Sequence, residues 1–247
     1  MSQRVRLWLF GLAALVLAGW LTAAALQLPH FGTSSHPYGA RAVSAALKQR
    51  TSNSVSSVNF DQRALDTLGE ESILFASVLG AVLLLRLARG EQEHRPRPAP
   101  VMPSTRLLGT VLLPVTLLVG GYLVAHGALS PGGGFQGGAV AATGLHLSYV
   151  AADYRVLKRV RPMALLDAAD AVAAGCFTVL GLAGLAVGAS FLSNILPLGQ
   201  FRDLASSGLV PLFNAVVGAE VASGLIVVLA HFLEQAVEVA PDTDETA

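Results

Sequence analysis

His126–Gly138 reads HGALSPGGGFQGG and lies between two apolar segments, Leu107–Ala125 and Ala139–Ala152, each about the length of a membrane-crossing helix. Five glycines crowd into Gly132–Gly138, with Pro131 just before them. A helix does not run freely through such a stretch: each Gly costs about 1 kcal/mol against Ala, and Pro removes a donor and clashes with the preceding turn. In lipid the freed backbone groups must still be paired, so a break persists only against protein or a water-filled cavity. Two readings follow, a tight interfacial turn or a broken-helix element lining an ion or water path. In either case Pro131, Gly132, Gly133, Gly134, Phe135, Gly137 and Gly138 form the element. Gln136 can satisfy its backbone or coordinate a hydrated cation.

The rest of the chain agrees with a membrane setting. Of its 247 residues 53% are hydrophobic and 13% charged, where soluble domains carry about a quarter charged. Net charge is zero and no basic run is interleaved with aromatics, which argues against nucleic acid as a partner. The single cysteine, Cys176, cannot form an internal disulfide, a Cys-ligated zinc site or an iron–sulfur cluster. No nucleophile stands with a base and an orienter, and there is no phosphate loop or dinucleotide fingerprint. An enzyme acting alone is not expected, nor a cofactor or a metal.

Working outward, six spans are expected. Leu7–Leu28 is a 22-residue apolar run behind Arg4 and Arg6. Thr22–Ala25 resembles a small-residue cleavage site, but signal cores are usually about 7–15 residues, so a retained helix is favoured. Pro29–Phe60 is polar and reads as an extramembrane loop with one short extended piece at Ser54–Asn59, SVSSVN. Ile73–Leu87 is the second span, and Thr67 with Glu70 three residues later fits a capping box starting its helix. A linker rich in Pro and Arg follows. The third and fourth spans flank the Gly-rich stretch, the fifth is Ala164–Leu192 and the sixth Leu209–Leu233. Gly184 and Gly188 form a Gly-x-x-x-Gly pair that permits close helix approach. The fold class is thus all-α: a polytopic membrane helix bundle of about six transmembrane helices, with a Gly-rich broken element between helices 3 and 4. With six spans, eleven of the sixteen Lys and Arg fall on the side of the termini, which places both termini in the cytoplasm.

Three ordered motifs, HGALSPGGGFQGG, FLSNILPLG (Phe191–Gly199) and NAVVGAEVASGL (Asn214–Leu225), resemble the B subunit of Mrp-type multisubunit sodium/proton antiporters. They are equally similar to the matching subunit of membrane-bound hydrogenases that carry an antiporter-like module. FDQRALDTLGE (Phe60–Glu70) resembles the E-type subunit of those hydrogenases and the C-terminal tail of the antiporter A subunit. The resemblance implies four parts: residues 1–90 as an E-like unit, 91–106 as a cytoplasmic linker, 107–234 as an MnhB-like four-helix unit, and 235–247 as an acidic disordered tail. It further implies a subunit of a hetero-oligomeric complex in a prokaryotic cell membrane, with other antiporter subunits as partners and Na+ and H+ as the ions moved. A redox-driven pump (membrane-bound hydrogenase or complex-I-like) and a purely structural scaffold are the alternatives. One departure stands out. The family pattern tends to read His-Gly-His where this chain has His126, Gly127 and Ala128, so a role for the second His is absent or has moved.

Within this frame Glu220 is the leading ion-path candidate. It lies near the middle of the sixth span, where a charged carboxylate costs at least about 2.5–3.5 kcal/mol. Asn214 on the same helix can offer a carbonyl to a cation or bond across helices. His126 and His146 bracket the Gly-rich stretch and suit a proton relay or a hydrogen bond. Glu70, with Glu71, can form an acidic entry or cap its helix. Asp167 and Asp170 share a helix face at the start of the fifth span and read as acids complementing the helix dipole.

Overall fold

The structure is a computed structural model that describes residues 3–28, 36–85, 101–151 and 163–234. The linker to residue 100, the basic run Arg155–Arg161 and the acidic tail 235–247 lie outside the described residues. Among those described the chain is helical and contains no strand. It divides into two units, Met1–Ala40 and Arg41–Ala247. The first holds α1 (Gln3–Leu26), long and apolar enough to cross a membrane.

The division falls within α2 (Pro37–Lys48), and α3 (Ser54–Ser57) and a π-helix over Val58–Gln62 follow in the second unit. Then come α4 (Ala64–Leu84), α5 (Pro103–Ala125), α6 (Gly134–Ala151), α7 (Met163–Ala186) and α8 (Val210–Glu234). With α1, helices α4, α5, α7 and α8 make five membrane-spanning candidates among the described residues. The remaining expected span is α6, 18 residues long and less apolar because it carries Gln136 and His146 besides its glycines. α8 is the axis of the unit. Some 56% of its span is buried, against 11–28% for α4, α5 and α7, and it packs on all four other long helices. The outward Leu and Val side chains of α4, α5 and α7 are exposed, as a lipid-facing surface requires.

Glycine sets how closely α6 is held. A Cβ on Gly137 would lie 2.6 Å from the Gly120 carbonyl of α5, and one on Gly138 2.6 Å from the Gly218 carbonyl of α8. With Gly109 against Ala151 and Gly144 against Thr116, α6 runs antiparallel to α5; with Gly134 against Asn214 and Gly138 against Gly218, it runs parallel to α8.

Several expectations are corrected. The polar segment after α1 contains a helix, α2, built on Ala40, Ala42, Ala45 and Ala46, with Ala42 and Ala46 buried one turn apart. The extended piece at Ser54–Asn59 is instead α3 and the start of the π-helix, because the Asn53 side chain caps α3 by accepting from the backbone N–H groups of Val55 and Ser56. Thr67 does not cap α4. That helix already begins at Ala64, and Thr67 Oγ1 donates to the Asn59 carbonyl at 2.7 Å. The fifth span stops at Ala186. Gly188 has φ +79° just past the helix end, and the chain folds back so that the Leu192 N–H reaches the Gly181 carbonyl at 3.1 Å. Gly184 and Gly188 therefore shape a reversal and are not a helix–helix seam.

Candidate ion site

The break between α5 and α6 is shorter than the motif suggested. Pro131, Gly132 and Gly133 make the turn, both glycines at φ +133°, a region a side chain strains to enter. Gly134, Phe135, Gln136, Gly137 and Gly138 already belong to α6. Two asparagines tie this turn down. Asn53 Nδ2 donates to the carbonyls of Gly127 and Ser130, each at 2.8 Å, and its backbone N–H reaches the Ala128 carbonyl at 3.0 Å. Asn214 is fully buried. Its Oδ1 accepts the Gly134 N–H at 2.9 Å, and its Nδ2 donates to Ser56 Oγ at 3.0 Å and the Val210 carbonyl at 2.9 Å. The Asn214 side chain thus caps α6 and binds it to α3 and α8. Ala128, where the family pattern would have a His, is buried in the aliphatic and aromatic core. A cavity of about 30 Å³ lies beside the turn, lined by Ser56, Asn59, Phe60, Gln136 and Asn214 among others, large enough for about one water.

Deeper in the bundle lie three buried carboxylic acids. Glu220 on α8 is 0% exposed, Glu71 on α4 2% and Asp170 on α7 6%. Glu71 interacts with both Glu220 and Asp170, and Asp170 also feels Glu220, so the three form one electrostatic cluster. Neither oxygen of Glu71 or Glu220, nor Oδ1 of Asp170, has a hydrogen-bond partner of good geometry among the described residues. Local structure explains how they converge. Gly224 opens room on α8 for Asp170, whose Oδ1 would lie 3.2 Å from a Cβ at that position. Thr67 and Val78, one and two turns from Glu71 on the same face of α4, are buried with it. At membrane depth bare carboxylates are costly and neighbouring like charges raise the cost, so protons or a small cation must neutralise such a group.

The sequence candidates divide on this geometry. Glu220 is at the centre of the cluster. Glu70 is exposed on α4, and its neighbour Glu71 points inward instead. His126 ends α5, where its Nδ1 lies 3.1 Å from the Tyr122 carbonyl and its ring stacks on Tyr122 at 4.0 Å. His146 lies beside the Leu225 backbone, more than a turn beyond Glu220, with Nε2 buried and without a hydrogen-bond partner among the described residues. Gln136 is exposed at the mouth of the small cavity. The other two members carried different expectations, Glu71 as half of an acidic entry or cap with Glu70, and Asp170 as an acid complementing the helix dipole. The available signal was their seven-residue spacing from other inward positions, Ala64 to Glu71 and Asp170 to Phe177.

At the turn end of the bundle the π-helix carries Asp61, half-buried in a cleft of about 430 Å³ with Gln62, Arg63, Ser190 and Ser193. Burial pushes the Asp61 carboxyl above the ordinary carboxylate value, and a hydrogen bond from the Asn194 side chain pulls it part of the way back.

The fold is that of a polytopic all-helical membrane bundle. Residues 104–227 match the family described as a domain related to the MnhB subunit of Na+/H+ antiporter, and the chain belongs to that family. It is 28% identical over 202 residues to an uncharacterized protein of Methanocaldococcus jannaschii, covering 70% of this chain and 74% of that one. Among solved structures it is similar to a chain of the membrane-bound sulfane sulfur reductase, an archaeal respiratory membrane complex. There the TM-score is 0.73 and identity 28%, over 94% of this chain and 100% of that one. The fold also matches a chain of the Mrp complex from Dietzia sp. DQ12-45-1b, with TM-score 0.67 and 24% identity. That match covers all of this chain but only 27% of the longer one.

Proposed function

We propose that this protein is a membrane subunit of a multisubunit Na+/H+ antiporter, in which Glu71, Asp170 and Glu220 hold protons or a monovalent cation along the ion path. The observation that carries this reading is the burial of three mutually interacting acids, from α4, α7 and α8, without hydrogen-bond partners for most of their oxygens. We further assign it to a prokaryotic cell membrane with both termini cytoplasmic, as the Lys and Arg distribution favours. The division into an E-like unit over 1–90, a linker over 91–106 and an MnhB-like unit over 107–234 belongs to the same reading. So does the placing of His126, His146, Gln136 and Glu70 as secondary contacts of the path.

A second reading has a specific observation behind it. The sulfane sulfur reductase chain is matched along its whole length and at the higher TM-score, which favours a module of a redox-driven pump. Subunit composition after gentle detergent extraction from the native membrane separates the two. Large antiporter-like subunits without a redox protein support the antiporter. Co-purifying iron–sulfur or other redox subunits support the pump, and a monodisperse chain extracted alone contradicts both.

A further inference from the structure

Three rings lie between the acid cluster and the turn end of the bundle. Phe60 stacks on Phe213 at 5.9 Å with 7° between planes, Phe177 meets Phe213 at 4.5 Å, and Phe60 and Phe177 are 6.4 Å apart. All three are buried, Phe177 and Phe213 completely. Each helix of the acid cluster contributes to this layer two turns away from its acid. Phe213 precedes Glu220 by seven residues on α8, and Phe177 follows Asp170 by seven on α7. Ala64, seven residues before Glu71, belongs to the same core cluster. Seven residues is about 10 Å along a helix and returns to nearly the same face, so the layers are stacked in register.

Polar space reaches this layer from the turn end. The small cavity beside Asn214 is lined by Phe60 itself. The wider cleft at Asp61 is lined by Ala64 and Leu192, which also pack in the aromatic cluster. Polar space on one side and buried acids on the other are thus separated by one apolar layer. A close-packed apolar constriction bars ions and protons because water does not wet it.

We propose that Phe60, Phe177 and Phe213 form a hydrophobic seal between the polar cavities at the turn end and the Glu71–Asp170–Glu220 cluster, closed in this structure. The seal rests on the ion-path reading of the acids and adds the control of access to it. Phe60 is the movable member. It rides on the π-helix Val58–Gln62, an i→i+5 segment whose return to α geometry would swing the ring by about 100°. Gln62 of the same segment donates to the Ala42 carbonyl at 3.0 Å, so a displacement of α2 is transmitted to the ring.

The test uses membrane vesicles that contain the complete native complex, with assembly checked on native gels. An imposed pH gradient should collapse about tenfold faster with Phe213→Ala than in the unaltered complex. Phe213→Leu, which keeps apolar bulk, should leave the decay near the unaltered rate. Adding Glu220→Gln to Phe213→Ala should restore slow decay, since the leak runs through the acids. An unchanged decay in assembled Phe213→Ala overturns the seal, as does a leak equal in the Leu variant or one that persists with Glu220→Gln. Should Phe213→Ala fail to assemble, Phe60→Ala, on the short segment at the bundle end, carries the same expectations. Failure of both to assemble marks the rings as packing only and also overturns the seal. If Glu220→Gln alone leaves ion exchange intact, the ion-path reading fails. Loss of exchange with no leak from Phe213→Ala removes the seal alone.

Discussion

Asn214→Ala separates a structural anchor from a cation ligand. The carboxamide spends its acceptor on the Gly134 N–H and both donor hydrogens on Ser56 Oγ and the Val210 carbonyl. Truncation leaves the Gly134 N–H, the first of α6, buried with no partner, which costs about 1–3 kcal/mol. Ser56 can reorient its hydroxyl, and the Val210 carbonyl keeps its helical bond, so these add less. Loss of the buried side chain leaves a hole beside Gly127 and Gly133, whose backbones approach Asn214 Oδ1 closely. The sum is about 2–4 kcal/mol, and at about 2–4 °C per kcal/mol for a chain this size it lowers Tm by about 5–15 °C. Thermal melting of the detergent-extracted protein, followed by size-exclusion chromatography, reads this directly. Asn214→Asp keeps an acceptor for Gly134 but loses the donors, and should fall between the two. An Asn214→Ala protein that melts normally yet loses cation-dependent exchange would refute the anchor and make Asn214 a ligand.

Three further outcomes follow from the geometry. Gly120→Ala places a Cβ 2.6 Å from the Gly137 carbonyl and should destabilise the extracted subunit by about 2 kcal/mol, whereas Gly121→Ala, with nothing within 4 Å, should be neutral or slightly stabilising in the same melting assay. Gly224→Ala sets a methyl 2.9 Å from Val78 and 3.2 Å from Asp170 Oδ1; it should slow cation/proton exchange several-fold while the complex still assembles on native gels. Burial raises Asp61, so folding favours its protonated form, and the ionised form lowers stability above its folded-state pKa. Asp61→Asn should therefore raise Tm at about pH 8 and leave it unchanged at about pH 3, where both states are protonated.

The long helices, the Gly-rich turn and the central place of Glu220 were legible because each is written in local composition: apolar length, helix breakers, and one acid in mid-span. What escaped was rotation. Glu70 and Glu71 are neighbours about 100° apart on a helix, and which one faces inward depends on where α4 starts and on the π-helix ahead of it. Asp170 looked like an acid complementing a helix dipole because it is near the start of α7. Its burial depends on Gly224 of α8, 54 residues later, and no local pattern records that. The Gly184–Gly188 spacing was misleading for the opposite reason. Gly-x-x-x-Gly permits close approach, but here the approaching backbone is the chain's own reversal, with the Ser190 carbonyl 2.5 Å from where a Gly184 Cβ would lie. Asn53 and Asn214 were visible as polar residues, but their bonds to the turn span 74 to 80 residues of sequence.

The most direct measurement is sodium-driven proton movement across vesicles holding the assembled complex, compared among the unaltered protein, Glu220→Gln and Glu220→Asp. Glu220→Gln should abolish exchange with assembly intact, and Glu220→Asp, which keeps an ionisable group in the cluster, should retain part of it. Full exchange in an assembled Glu220→Gln complex would contradict the ion path built on Glu71, Asp170 and Glu220.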